Sequence, residues 1–195
     1  LAAAAGFRAV ELHWPYDTPA AAVGAACRRH GLTLLGINTE PGDLASGEFG
    51  LAALPGREAD FRAALERSVD WCLASGAGMI HAMAGVVKDD ERRIARRTLL
   101  ANLDRAADLA AGHGLTLLLE AINRRDRPGY FYHRAREAAE IVTELGRPNV
   151  RLMLDAYHAG MEGDDPAELL PGLVPLVAHV QVAAVPSRAE PDEGD

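Results

Sequence analysis

Three apolar runs in this sequence each close on a side chain that offers a hard oxygen donor. Leu115–Leu119 runs into Glu120, Val150–Leu154 runs into Asp155, and Val177–Val182 carries Gln181 near its end. Such donors suit Mg²⁺ or Mn²⁺ better than a thiolate-type zinc centre would. An ionised carboxylate is costly to bury alone, so Glu120 needs a cation, a donor network or a raised pKa. His158 stands three residues beyond Asp155, past the end of its run and within reach of the same pocket. Arg124 and Arg125 follow Glu120, and Arg188 follows Gln181, each in the loop after a donor-bearing run. A guanidinium there is the natural bidentate partner of a substrate carboxylate. Each feature also has a plainer use, because strand-end carboxylates cap helices and loop arginines stay solvated. The repetition on three successive runs favours one shared site. His13, His81 and His179 lie inside strand-like runs, where side-chain alternation makes each either a cavity residue or a hydrogen-bonded core histidine.

The elements that must hold these residues follow one rhythm. Gly112 and Gly114 precede the Leu115–Leu119 run, which is short and apolar enough for a strand buried on both faces. Upstream, Arg8–Trp14, Leu32–Asn38 and Met79–Gly85 read as strands. Between them, Asp17 or Thr18 is expected to cap a helix with Pro19 at its first position and Gly31 at its close. Phe61, Leu65, Val69 and Leu73 step by four along a helix stopped by Gly76, and Leu99, Leu103 and Ala107 form the stripe of another that opens at Asp89 and Asp90. A helix closing at Gly146 and one near Pro166–Leu170, broken by Pro171, complete the set. Residues 39–58 form a long Gly- and Pro-rich loop, the kind that is usually a lid or flexible.

Alternation of strand and helix is the signature of a parallel α/β fold. No glycine-rich phosphate loop follows any strand, which removes the nucleotide-binding versions. Six strands are countable where a closed (β/α)8 TIM barrel has eight. The chain opens with LAAAAG, read as the last turn of a helix, and trails off after Pro186 as a polar loop. The expectation is therefore one domain over residues 1–195, an incomplete barrel without its first and eighth strands. Exposed strand edges would then favour association into a homo-oligomer.

Composition narrows the function. A formal charge of -8 leaves no basic face for nucleic acid, and no apolar stretch is long enough for a bilayer. Cys27 and Cys72 are far apart and not in a CxxC pair, so they read as reduced, buried thiols of a cytoplasmic protein.

EAINRRDRPGYF (Glu120–Phe131), DAYHAGMEGD (Asp155–Asp164) and HVQVAAVPSRAEP (His179–Pro191) together resemble segments of the hydroxypyruvate isomerase family, within the xylose-isomerase-like TIM barrels. NTEPGDLASGEFGLAALPGRE (Asn38–Glu58) resembles that family's long loop after its third strand. The resemblance implies a divalent metal, Mg²⁺ or Mn²⁺, held by Glu120, Asp155, Gln181 and a second Glu on the eighth strand that has no counterpart here. It makes His158 the substrate-contacting histidine and Arg188 an anion contact. Asp126 falls where related sugar epimerases place a substrate-binding acid. The activity implied is aldose–ketose isomerisation of a small oxo-acid, hydroxypyruvate or a 2-oxo-tetronate, with Glu120 as both ligand and acid/base. A sugar epimerase, a nuclease of the same fold and a non-catalytic barrel remnant are the rivals. With the second Glu absent, Glu190 or Glu193 folding back from the terminal loop would be its substitute.

Overall fold

A computed structural model of the protein describes residues 1–191. Six strands form one sheet in sequence order: β1 (Ala9–Leu12), β2 (Thr33–Asn38), β3 (Met79–His81), β4 (Thr116–Glu120), β5 (Val150–Asp155) and β6 (Val177–Gln181). Every neighbouring pair is parallel. The crossovers are α1 (Ala20–Arg29), α2 (Glu58–Ser75), α3 (Arg92–Ala111) and α4 (Ala135–Leu145), with α5 (Ala156–Met161) and α6 (Pro166–Leu173) together spanning β5 to β6. This is the expected partial barrel. Among the described residues no helix is long and apolar enough to cross a membrane. Glu193 lies outside the described residues.

The register assigns the two faces of the sheet different work. Ile37, Ile80, Leu117, Leu119, Leu152 and Leu154 alternate onto the outer face and enter the apolar core shared with the helices. Gly36, Asn38, Met79, His81, Leu118, Glu120, Met153, Asp155, His179 and Gln181 have the opposite parity and line a cavity on the inner face. A parallel strand buried on both faces reads as continuous apolar sequence. Only where the run breaks into Glu or Asp does the sequence mark the inner face.

Several boundaries differ from expectation for identifiable reasons. Pro19, not Asp17 or Thr18, is the cap of α1, and no side chain caps that helix. In α2 the buried stripe turns through Trp71 and Cys72, leaving Leu73 half exposed, because 3.6 residues per turn drifts away from a strict step of four. Pro171 sits inside α6 instead of ending it. Its fixed φ suits the helical backbone, and the cost is the one i→i−4 bond that its missing N–H would have made. The opening LAAAAG is a 3-10 turn over Ala3–Ala5 closed by Gly6, as the glycine suggested, but not an α-helix.

The long loop after β2 is packed, not loose. Leu51, Ala52 and Ala53 are buried, Gly50 bridges Ala84, and Phe49 reaches the cavity. At Gly50 φ is +113°, and a Cβ would lie 2.6 Å from the Met83 carbonyl, so glycine is required there.

Candidate active site

The inner face encloses a cavity of about 670 Å³ with Glu120 and Asp155 at its base. Both carboxylates occupy the last position of their strands, as in any barrel that builds its site at the strand C-termini. Glu120 pairs in register with Met153, so Asp155 falls two residues further on the same face, and Gln181 is Asp155's direct register partner on β6. One donor atom from each of Glu120, Asp155 and His158 falls within 4.8 Å of the others, and all three residues are buried.

Burial raises the Glu120 carboxyl, and the neighbouring Asp155 carboxylate adds to this, bringing it to about 8 against an ordinary 4.5. Arg188 pulls in the opposite direction and does not offset them. Two buried carboxylates on adjacent strands resist joint ionisation, and a divalent cation between them relieves both terms. The chemistry of these two carboxylates therefore suits a hard cation, and Gln181 on the neighbouring strand is engaged through its Nε2 with Glu11.

His158 sits in α5, whose N-terminus Asp155 caps by accepting from the Tyr157 N–H at 2.9 Å. Its protonation pattern follows from Asn123. The Asn123 Oδ1 accepts the Asp126 backbone N–H at 2.9 Å, which fixes the amide and turns Nδ2 towards the ring. Nδ2 then lies 2.6 Å from His158 Nδ1 and donates to it. The neutral ring must carry its proton on Nε2, the nitrogen 3.6 Å from Asp155 Oδ2 and 3.8 Å from Glu120 Oε1. Burial holds the His158 pKa below its ordinary value, with Asp155 pulling the other way. A nitrogen that carries a proton has no lone pair for a metal. His158 is thus arranged as a donor into the cavity and not as a third ligand.

The cavity rim is where the expected arginines separate. Arg188 Nη1 lies 3.2 Å from Asp126 Oδ2, and its guanidinium stacks 4.8 Å from the Tyr157 ring centroid. Arg124 is turned away and paired with Glu162, which also accepts its backbone N–H at 2.7 Å. Arg125 is exposed and does not line the cavity. Of the three arginines singled out in the sequence, Arg188 alone lines the cavity. Asp126 lines the same rim, held by Asn123 Nδ2 at 3.1 Å and facing the Tyr157 hydroxyl at 3.4 Å.

Sequence reasoning passed over several lining residues. Arg127 lies 3.9 Å above the Phe49 ring and, with Trp14, joins the cavity wall. Glu11 on β1 reaches the opposite edge strand, accepting from Gln181 Nε2 at 2.5 Å and lying 3.1 Å from His179 Nε2. The His179 interaction, despite partial burial, keeps the Glu11 carboxyl below its usual range. The only signal for Glu11 was an acid and a histidine two residues apart in one strand, which puts both on one face.

The fold and sequence are shared with known proteins. A model of the xylose isomerase-like TIM barrel matches residues 1–195. The chain belongs to that family. It is 45% identical over its whole length to a 2-oxo-tetronate isomerase of Cupriavidus necator, covering 75% of that protein. A Homo sapiens protein provisionally named as a hydroxypyruvate isomerase is 43% identical over 97% of the chain, which covers 71% of it. Among solved structures, one titled as an AP endonuclease, family 2, from Brucella melitensis is 41% identical, with a TM-score of 0.96 over 100% of the chain and 75% of that protein. A D-allulose 3-epimerase from a Methylomonas species shares the fold at 21% identity and a TM-score of 0.74, covering 93% of this chain and 64% of that one.

Proposed function

We propose that this cavity isomerises a small oxo-acid, hydroxypyruvate or a 2-oxo-tetronate, by moving a proton between adjacent carbons through an enediolate. The observation that carries the reading is Glu120: a buried carboxyl brought to about 8 by its setting, beside a second carboxylate, at the base of a cavity whose rim carries Arg188. The carboxylate left when a cation displaces that carboxyl proton is a base placed to take a proton from carbon and to return it. The relatives named as isomerases of small oxo-acids point the same way.

Each residue then has a task. Glu120 removes the proton from the hydroxyl-bearing carbon, the C–H pair enters the new carbon–carbon double bond and the carbonyl π pair moves onto its oxygen. The hydroxyl proton then passes to that oxygen, the other oxygen becomes the carbonyl, and Glu120 returns its proton at the neighbouring carbon. Asp155, Glu120 and the Gln181 amide oxygen would hold Mg²⁺ or Mn²⁺, which when bound would polarise the substrate's carbonyl and hydroxyl oxygens. His158 donates from Nε2 to a substrate oxygen, and Asn123 keeps it in that tautomer. Arg188 binds the substrate carboxylate from the rim, and Asp126 and Tyr157 set its angle. The buried free thiols Cys27 and Cys72 suit a reducing compartment such as the cytoplasm.

Proton exchange is the direct test. The protein, with Mg²⁺ or Mn²⁺ in D₂O, should exchange the α-proton of hydroxypyruvate or 2-oxo-tetronate for deuterium and form the isomeric product by NMR. Glu120→Gln should abolish both. Exchange on neutral ketoses but not on either acid would replace this reading with an epimerase.

A further inference from the structure

We propose that His81 hydrogen-bonds a substrate oxygen next to the carbon on which Glu120 acts; this rests on the isomerase reading above. His81 ends β3, pairs in register with Asn38 and Leu118, and lines the cavity on the inner face. It is only 2% exposed, and neither of its ring nitrogens has a hydrogen-bond partner. Nδ1 lies 3.3 Å from Glu120 Oε2 but does not form a hydrogen bond with it.

This protein does pair its other buried imidazoles. His133 Nδ1 lies 2.8 Å from the Ile122 carbonyl, and His158 is held by Asn123. An orphaned buried polar group costs about 1–3 kcal/mol, so a ring left free on the wall of a cavity calls for a partner that arrives with the ligand. A histidine whose role was to pack the core would sit on the outer face among Ile80, Leu117 and Leu119. His81 does not.

The chemistry supplies that partner. As Glu120 takes the proton, the C–H electron pair enters the carbon–carbon bond and the carbonyl π pair moves onto oxygen, which becomes a strong acceptor. An imidazole in either protonation state carries at least one N–H. A group 3.3 Å from the Glu120 carboxylate is within one substrate atom of the reacting carbon, so the N–H of His81 meets charge that develops only during the reaction. In the second half the hydroxyl proton passes to that oxygen, which becomes the product hydroxyl and a weaker acceptor. The oxygen that lost it becomes the new carbonyl, and the carbon–carbon π pair takes the proton held by Glu120 onto the adjacent carbon.

The test compares His81→Phe and His81→Gln with the wild-type protein in four measurements. These are kcat/KM on the oxo-acid, affinity for a planar hydroxamate mimic of the enediolate, Mn²⁺ affinity and thermal midpoint. His81→Phe is expected to lose about 100-fold in kcat, with a matching loss of hydroxamate affinity, because removing one such donor typically costs 10²–10³-fold. Mn²⁺ affinity should stay within about threefold, and His81→Gln, which restores an N–H, should recover about tenfold over Phe. The proposal is overturned if His81→Phe keeps kcat within about threefold, if Gln is no better than Phe, or if the loss tracks Mn²⁺ affinity. Should the phenylalanine variant not fold, His81→Asn and His81→Gln against wild type carry the same comparison. The hydroxamate titration reads the contact even where wild type turns over neither acid, an outcome that would refute the isomerase reading and not this one.

Discussion

Binding of Mn²⁺ at neutral pH should expel a proton from Glu120. The carboxyl stands at about 8, so at pH 7 about nine-tenths of the protein carries a proton there. A carboxylate must be deprotonated to ligate, so each cation bound displaces about 0.9 proton at pH 7, about 0.5 at pH 8 and close to none at pH 9. His158, held below its ordinary value, is already neutral at pH 7 and contributes little. The same arithmetic makes the apparent affinity about tenfold weaker at pH 7 than at pH 9, or about 1.4 kcal/mol. Isothermal titration in buffers of different ionisation enthalpy measures the proton count directly. Glu120→Gln should remove the release along with most of the affinity. Proton release indistinguishable from zero in the wild-type protein at pH 7, or equal release from the Gln variant, would refute the assignment of Glu120 as the protonated ligand.

The same group governs metal-free stability: its folded pKa is raised, so its contribution is fully present below pH 4.5 and is lost as pH rises through about 8. Chemical denaturation between these limits should show a loss of several kcal/mol, flattened by saturating Mn²⁺; a rise in stability with pH across this window would contradict the burial argument. Arg188→Ala should raise KM for the oxo-acid about 10- to 100-fold while kcat changes little, because the lost contact is a partly exposed carboxylate pair at the rim. Steady-state kinetics on acid and neutral substrates separate this from general damage, and equal losses on both would return the anchor to another residue. Asn123→Asp places an acceptor against His158 Nδ1, which moves the ring proton there and leaves Nε2 without its donor. About a 100-fold fall in kcat is expected with cation affinity retained or increased, and an unchanged kcat would show that the tautomer is irrelevant.

Legibility of the site in the sequence followed the physics of the parallel strand. A strand buried on both faces hides its alternation behind leucines, so Leu117, Leu118 and Leu119 look alike although two face the helices and one faces the cavity. Glu120, Asp155 and Gln181 were readable because a polar residue interrupts each run at the same end. Asp126 and Arg188 stood out only as charges in loops after such runs. Glu11 was not readable as a partner of Gln181, because 170 residues separate them and only the curvature of the sheet brings the edge strands within side-chain reach. Asn123 was invisible for a different reason. Its importance lies in which way its amide is fixed, and that depends on the Asp126 backbone N–H and not on residue type.

The site also differs from the rest of the interior in how its polar groups are treated. Elsewhere, several buried polar side chains find backbone partners: Asn102 donates to the Ala52 carbonyl at 2.9 Å, and Ser68 to that of Ala64 at 2.7 Å, although the Tyr132 hydroxyl has none. Among the described residues, His81, whose ring nitrogens have no partner, lines the same cavity as the two crowded carboxylates. A core shaped by stability alone would have replaced such groups with apolar ones of similar shape, since an unpaired buried polar atom costs more than a missing hydrogen bond gains. On the inner face the crowded carboxylates and the unpaired His81 put unmet bonding capacity where a cation and a small polar ligand would fit. The thermodynamic consequence is coupling. Each ligand that satisfies one of these groups lowers the cost of ordering the others, so cation and oxo-acid should each tighten the binding of the other by the same factor.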